Sequence, residues 1–382
     1  MRIPSEFDDI RPFEPEELPE VFDRLLCNEQ FQTILKYFFP QIPFDKLVQI
    51  VKSCKTNDEF QLKLAYPFLA HLIAKYSKGC DIETKYLDHS RPCTFFSNHR
   101  DIVLDSAFLN KLLIDAQFSS TCEIAIGDNL LKLPWIVDLV RVNKSFIVHR
   151  NLPPRDQLRS SIQLSQYMHF AIAEKHESLW IAQREGRAKD SDDRTQKSVL
   201  KMLALGGEGS EVERLIQLHI TPLTISYEYD PCDYLKAQEM QLKRDNKGWV
   251  KSEHDDLISM QTGIQGYKGF IHYHPAPSID AWLEQLPADL PKNDLFEQTA
   301  QHIDEVIHQH YRLYPGNYVA FDLLEDSSLY SQYYTVDERA TFEKYLEGQL
   351  AKINIPAKDD AFLRRQILTM YANPVINYQK TV

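Results

Sequence analysis

The 382-residue sequence has no Cys-x-x-Cys pair; its six cysteines, Cys27, Cys54, Cys80, Cys93, Cys122 and Cys232, are scattered singly. That argues against a disulfide scaffold and implies buried structural thiols in a reducing compartment. Positive charge is also scarce: Lys plus Arg number 43 against 55 Asp plus Glu, a net charge of −12. Nucleic acid needs a basic face and is not expected as a partner, although a local basic pocket could still take a phosphate-bearing small molecule. No apolar run approaches the ~18 residues of a membrane span. The acidic start, Met1 to Asp9, lacks the basic and apolar regions of a signal peptide. The expectation is a cytoplasmic protein, with any membrane contact peripheral and on the inner face. Low-complexity tracts, internal repeats and Gly/Ser/Pro-rich linkers are missing too.

What is present divides into a helical start and an alternating remainder. Residues 1 to about 15, rich in Pro, Glu and Asp, read as an extended arm. Apolar residues at Val21, Leu25, Phe31 and Leu35, and again at Phe60, Leu64, Phe68 and Leu72, repeat with a helical period, with Pro67 expected to kink the second pattern. Residues 1–85 are therefore expected as an all-helical region, and 86–382 as an α/β domain. β-like runs at 93–96, 122–126, 145–148, 179–182 and 218–226 alternate with helical patterns at 103–113, 130–141, 156–174 and 195–205. This predicts an α/β fold: a mostly parallel central sheet flanked by helices, with the N-terminal helical region and a helical C-terminal layer. Further on, residues 269–273 and 318–323 read as strands, and 233–245, 293–311, 337–350 and 359–371 as helices.

Four stretches carry candidate chemistry. In Ser97-Asn98-His99-Arg100-Asp101-Ile102-Val103-Leu104-Asp105, a histidine follows a strand and precedes a helix that begins with carboxylates. Such a histidine can act as a general base oriented by an acid, while Asn98 or Asp101 could simply cap the helix. Gly127-Asp128-Asn129-Leu130 forms a tight strand-to-helix turn, followed by a strand flanked by Lys144 and Arg150. Arg184-Glu185-Gly186-Arg187-Ala188-Lys189 sets three cations around a turn-forming glycine, a suitable cradle for phosphate or merely a charged loop. The strand around Pro222, ending Tyr227-Glu228, is expected at an edge or as an irregular wall because proline removes a ladder donor. His272 and His274 share a strand face but lack a completing Cys or Glu-x-x-His, so no metal is expected. His302, His308 and His310 read as surface residues of a helix, and Asp190, Asp192 and Asp193 as a solvated loop.

In this order the stretches resemble the glycerol-phosphate acyltransferase superfamily. That family has a His-x4-Asp box, a Gly-(Asp/Glu)-Asn-Leu block leading to a strand ending in Arg, a Glu-Gly-x-Arg box and a Pro-containing strand often ending Tyr-Glu. The resemblance covers residues 93–230. It implies direct transfer of a fatty acyl group from acyl-coenzyme A or acyl carrier protein, as co-substrate, to a glycerol-phosphate hydroxyl, with no bound cofactor. His99 would be the base, oriented by Asp105 or Asp101. Arg150, Arg187, Arg184, Lys144 and Lys189 would hold the acceptor phosphate, with Arg100, Glu185 and Gly186 supporting. Two departures stand out: five residues separate His99 from Asp105 instead of four, and Glu185-Gly186-Arg187 lacks the residue between Gly and Arg. One extra helical residue would swing Asp105 by about 100°, so either the surplus lies in the loop before the helix, the favoured reading, or Asp101 is the partner. The absence of a Gly-x-Ser-x-Gly elbow speaks against a serine nucleophile. Arg100 and the Tyr227-Glu228 ending look more like the glycerol-3-phosphate members of that family than the 1-acylglycerol-3-phosphate ones, a resemblance that implies glycerol 3-phosphate as acceptor, with an amino-acid lipid left open. A non-catalytic lipid-binding scaffold of the same fold is the alternative from another class.

Overall fold

Seven strands form one sheet in the order β1-β7-β6-β2-β5-β3-β4. They are β1 (Gly79–Ile82), β2 (Thr94–Ser97), β3 (Glu123–Gly127), β4 (Ser145–Val148), β5 (Leu179–Ala182), β6 (Ile220–Tyr227) and β7 (Phe270–Pro275). Every pairing is parallel except β6 with β7. The structure, a computed structural model, describes residues 3–150 and 152–382.

Period-two alternation along the strands sends side chains to two separate cores. Phe96, Phe146, Leu179, Ile181 and Ile220 pack beneath the helices Pro154–Ala173, Lys197–Leu203, Glu211–Gln217 and Lys292–Gln309. Phe95, Ile124, Trp180, Leu223 and Tyr273 face the helices Tyr66–Tyr76 and Leu104–Asp115. Covered on both faces, β2 and β6 are buried throughout, as interior strands must be. The anticipated α/β architecture is what the chain adopts.

Several local expectations are corrected. The first 85 residues are not all helical, because β1 joins the sheet beside β7; its four residues, Gly-Cys-Asp-Ile, show no alternation to read. The expected extended arm, of which residues 1 and 2 lie outside the described ones, includes a 3-10 turn at Ser5–Phe7. Ile3, Phe7 and Ile10 are buried in the first core, and the Ile10 carbonyl accepts the Ile147 N–H of edge strand β4 at 2.9 Å. Pro67 lies in the first turn of Tyr66–Tyr76, and a π-turn at Gln61–Ala65 absorbs the irregularity. Residues 318–323 belong to a helix, Pro315–Leu324, because Pro315 opens it and Asn317 Oδ1 accepts the Tyr314 N–H at 2.8 Å. An apolar run that short does not distinguish helix from strand by period.

The Pro222 strand is not an edge either. β6 lies between β7 and β2, with Pro222 one residue outside the β7 ladder that begins at Leu223. Its carbonyl still takes the Ala276 N–H at 2.8 Å, so the missing donor faces a place where no ladder bond is due. The helix expected to carry surface histidines buries His308, whose Nε2 meets the Asp193 carbonyl at 2.8 Å. On the same helix His302 stacks on Trp282 at 4.2 Å.

Candidate active site

The carboxyl ends of β2, β3, β4 and β5 open onto one edge of the sheet, where an α/β fold collects binding groups. Asn98 extends β2 by one side chain: its Oδ1 accepts the Ile225 N–H at 2.7 Å and its Nδ2 donates to the Ile225 carbonyl at 3.0 Å. Asn98 is thus no helix cap. It pins the residue before His99 to β6. Asp101 is the cap, its Oδ1 accepting the N–H groups of Val103 and Leu104 at 2.9 and 2.8 Å.

His99 meets Asp105. The ring Nδ1 lies 2.9 Å from Asp105 Oδ2, and the same oxygen accepts the Arg100 N–H at 2.6 Å and the Asp101 N–H at 3.0 Å. Asp105 stands in the first turn of Leu104–Asp115, where the helix dipole favours negative charge. The surplus residue of the His-x5-Asp spacing lies in the 100–103 loop, ahead of that helix. An ionised carboxylate only accepts, so Nδ1 carries the proton and Nε2 presents its lone pair. The ring packs edge-on to Trp180 at 5.8 Å, and the Trp180 indole donates to Ser97 Oγ at 3.1 Å. Asp101 is buried, and burial, then the neighbouring Asp105 charge, push its carboxyl above the usual range against the pull of the Leu104 and Val103 N–H groups.

His99 lines a cavity of about 950 Å³ together with Arg150, Arg184, Glu185, Gly186, Arg187 and Lys189. Gly186 has φ +68°, a left-handed turn that suits glycine and reverses the chain between Arg184 and Arg187. Arg184 Nε and Arg187 Nη1 are buried and have no hydrogen-bond partner among the described residues. Each such orphan costs about 1–3 kcal/mol unless an acceptor reaches it. Arg150 lies over Gly127, its N–H bonded to Asp128 Oδ1 at 3.1 Å and its Nη1 to Glu185 at 3.2 Å. Lys189 is held by Glu239, which also takes Lys243 at 2.8 Å.

Two expected members are elsewhere. Lys144 precedes β4, at the amino end of a parallel strand and so at the far edge of the sheet. Buried there, it bonds Glu177 at 2.9 Å, Ser120 at 2.6 Å and the Thr121 carbonyl at 2.9 Å. Arg100 turns away from the cavity to Asp193 at 2.6 Å, and Tyr311 donates to the same carboxylate oxygen at 2.6 Å. Asp193 is therefore a fully buried junction, not part of a solvated loop. His272 pairs with Asp81 at 2.6 Å and His274 stacks on His310 at 4.2 Å.

Asn129 and His149, from the 127–150 stretch, also reach the cavity, as do three residues not marked as candidates from the sequence: Met240, Lys251 and Asp256. Lys251 and Asp256 pair at 2.5 Å. They belong to a segment whose helix, Glu253–Gln265, has weak periodicity. Its sequence signals were the capping pattern Ser252-x-x-Asp255 and an isolated glycine in helical surroundings, Gly263, where an added Cβ would meet Asp101 Oδ2 at 2.0 Å.

No family model and no curated protein matches the chain. Among solved structures it is similar to the crystal structure of the 1-acyl-sn-glycerophosphate (LPA) acyltransferase PlsC from Thermotoga maritima, at 9% identity and a TM-score of 0.38, over 77% of this chain and 98% of that one. At that identity and superposition the likeness bears on neither chemistry nor substrate.

Proposed function

We propose that the protein is an O-acyltransferase that moves a fatty acyl group from a thioester, on coenzyme A or acyl carrier protein, to a hydroxyl of a glycerol phosphate, with glycerol 3-phosphate the favoured acceptor. The observation that carries the reading is the His99–Asp105 hydrogen bond of 2.9 Å at the wall of a cavity that also holds buried, unpartnered guanidinium N–H groups. One half supplies a base and the other an anion site. The four-box sequence pattern supports the same assignment.

In this reaction His99 Nε2 takes the proton of the acceptor hydroxyl as its oxygen attacks the thioester carbonyl. The C–S bond then breaks, and the departing thiolate takes the proton back from the imidazolium. Asp105 stabilises that imidazolium, and the two backbone N–H groups on its Oδ2 fix its orientation. Arg184 and Arg187, with Arg150 and Lys189 beside them, bind the acceptor phosphate and hold the hydroxyl toward the base. Among the described residues no serine or cysteine is hydrogen-bonded to His99, which suits direct transfer without an acyl-enzyme.

The test incubates purified protein with an acyl-coenzyme A or acyl-carrier-protein thioester and glycerol 3-phosphate, and follows free thiol. Release should require both the acceptor and His99. Thiol release that survives in His99→Ala, or no release with any glycerol phosphate, overturns the proposal.

A further inference from the structure

Two buried polar atoms beside the base are left over from the hydrogen bonds described above. Asp105 collects the His99 ring N–H and two backbone N–H groups on Oδ2 and nothing on Oδ1. The Tyr227 hydroxyl is likewise without a hydrogen-bond partner among the described residues. The sheet brings the two together. β6 and β7 pair with Ile225 opposite Tyr273 and Tyr227 opposite Ile271, so the two tyrosines are diagonal neighbours on one face, within reach of each other's long side chains. That face meets the helix Leu104–Asp115, which shares a core with both tyrosines. The Tyr273 hydroxyl donates to the Asp105 carbonyl at 2.8 Å, and Asn98 ties Ile225 of the same strand to the residue before His99. Both phenols and the first turn of the helix therefore converge behind the His99–Asp105 pair.

The chemistry of the two atoms is complementary. Burial first, then Tyr273 and the Asp105 charge, push the Tyr227 hydroxyl well above its ordinary range, so it keeps its proton and can only offer it. Tyr273 has its own proton committed, and a phenol oxygen is a weaker acceptor than a carboxylate. Phenylalanine would fill the same apolar site without a stranded hydroxyl, and a buried tyrosine ordinarily has a partner for that group. Asp105 needs a donor as well. Its buried carboxylate stands next to Asp101, and a hydrogen bond on Oδ1 would hold that charge and stop the carboxylate from turning about its Cβ–Cγ bond.

We infer that Tyr227 is a positioning residue: its hydroxyl donates to Asp105 Oδ1, giving a Tyr227–Asp105–His99 chain in which Oδ2 stays on the imidazole. The bond forms by side-chain adjustment, since neither atom is engaged elsewhere. Its part in turnover rests on the acyltransferase reading; the hydrogen bond itself does not.

Tyr227→Phe tests this with two readouts. In thiol release, kcat should fall about tenfold with the acceptor KM unchanged. The same change made on Asp105→Asn should slow the enzyme no further, because the amide there presents a donor where the hydroxyl needs an acceptor. In protein with isotope-labelled histidines, His99→Ala assigns the His99 ring signals by their loss. The Nδ1 proton should then exchange with water about tenfold faster in Tyr227→Phe than in the wild type. Exchange needs no substrate, so a wild type that releases no thiol defeats the acyltransferase reading while exchange still decides this inference. It is overturned if Tyr227→Phe keeps the wild-type exchange rate, or if kcat falls as much on Asp105→Asn as on the wild type. An unchanged kcat with a raised urea midpoint also overturns it, being the result for a hydroxyl that has no partner at all.

Discussion

Replacing Asp105 by Asn removes one charge and leaves the geometry almost intact. The two backbone N–H groups at 2.6 and 3.0 Å on Oδ2 keep the amide oxygen in that place, so His99 Nδ1 still finds an acceptor. What disappears is the attraction between carboxylate and imidazolium while His99 carries the hydroxyl proton. At the 2.9 Å separation and an effective dielectric constant of about 20, a charge pair is worth about 5–6 kcal/mol, of which a neutral hydrogen bond retains about 1. The remaining ~4 kcal/mol corresponds to a fall in kcat of roughly a thousandfold. The KM for the acceptor should hardly move, because Asp105 touches no part of the anion site. A second effect is structural. Asp105 Oδ1 is buried without a partner, so the amide NH2 placed there is an unsatisfied donor that costs about 1–3 kcal/mol of folding stability. Single-turnover thiol release at saturating acceptor gives the first quantity and urea unfolding the second. The decisive comparison is with the double variant: if His99 and Asp105 act as one unit, His99→Ala with Asp105→Asn is no slower than His99→Ala alone. An Asp105→Asn enzyme within about tenfold of wild type would refute the general-base account.

Other substitutions separate roles that look alike in sequence. Arg187→Met should raise the KM for glycerol 3-phosphate more than about tenfold with a smaller effect on kcat, checked by steady-state kinetics. Lys144→Met should leave kinetics alone yet lower stability by about 2–4 kcal/mol, because it strands the Glu177 carboxylate in a part-buried site; a kinetic effect would put it back among phosphate ligands. Gly263→Ala should displace Glu253–Gln265 from Asp101 and cost about 1–3 kcal/mol in thermal or urea unfolding. Burial pushes the Asp304 carboxyl up to about 6 from an ordinary 3.8. The folded state thus holds this proton more tightly, and the contribution is full below pH ~4 and lost as pH rises through about 6. Asp304→Asn keeps an oxygen for the Thr195 N–H and should be more stable than wild type at pH ~8, by up to about 3 kcal/mol, and not at pH ~4; unfolding across that range decides it.

The sequence was legible where a local pattern and a tertiary environment agree. Short apolar runs marked β2 to β6 to within two residues because both sheet faces are apolar, and a helical period marked the long helices. The strand β1 and the helix Pro315–Leu324 were misread or missed since four polar-mixed residues, or a short, mostly apolar stretch opening on proline, carry no decisive period. At the site, His99, Arg150, Arg184, Arg187 and Lys189 were readable as chemical types placed after strands. Lys144 was misplaced because adjacency to a strand does not say which end of a parallel strand faces the cavity. Arg100 and Asp193 bind each other across 93 residues, a pairing no local pattern reveals. Lys251 and Asp256 arrive from a helix that only the fold brings over the mouth.

The single oxygen of Asp105 that collects a ring N–H and two successive backbone N–H groups closes a small loop of chain on itself. Its two ends are anchored independently, at Asn98 by the sheet and at Asp105 by a helix. Between such anchors the connecting segment behaves as slack: it can take in a residue, bulge and still bring the same three donors to the same atom. A histidine–aspartate pair built this way is indifferent to the number of residues that separate it, so the loop over the cavity can vary in length and shape while the hydrogen bond beneath it stays unchanged.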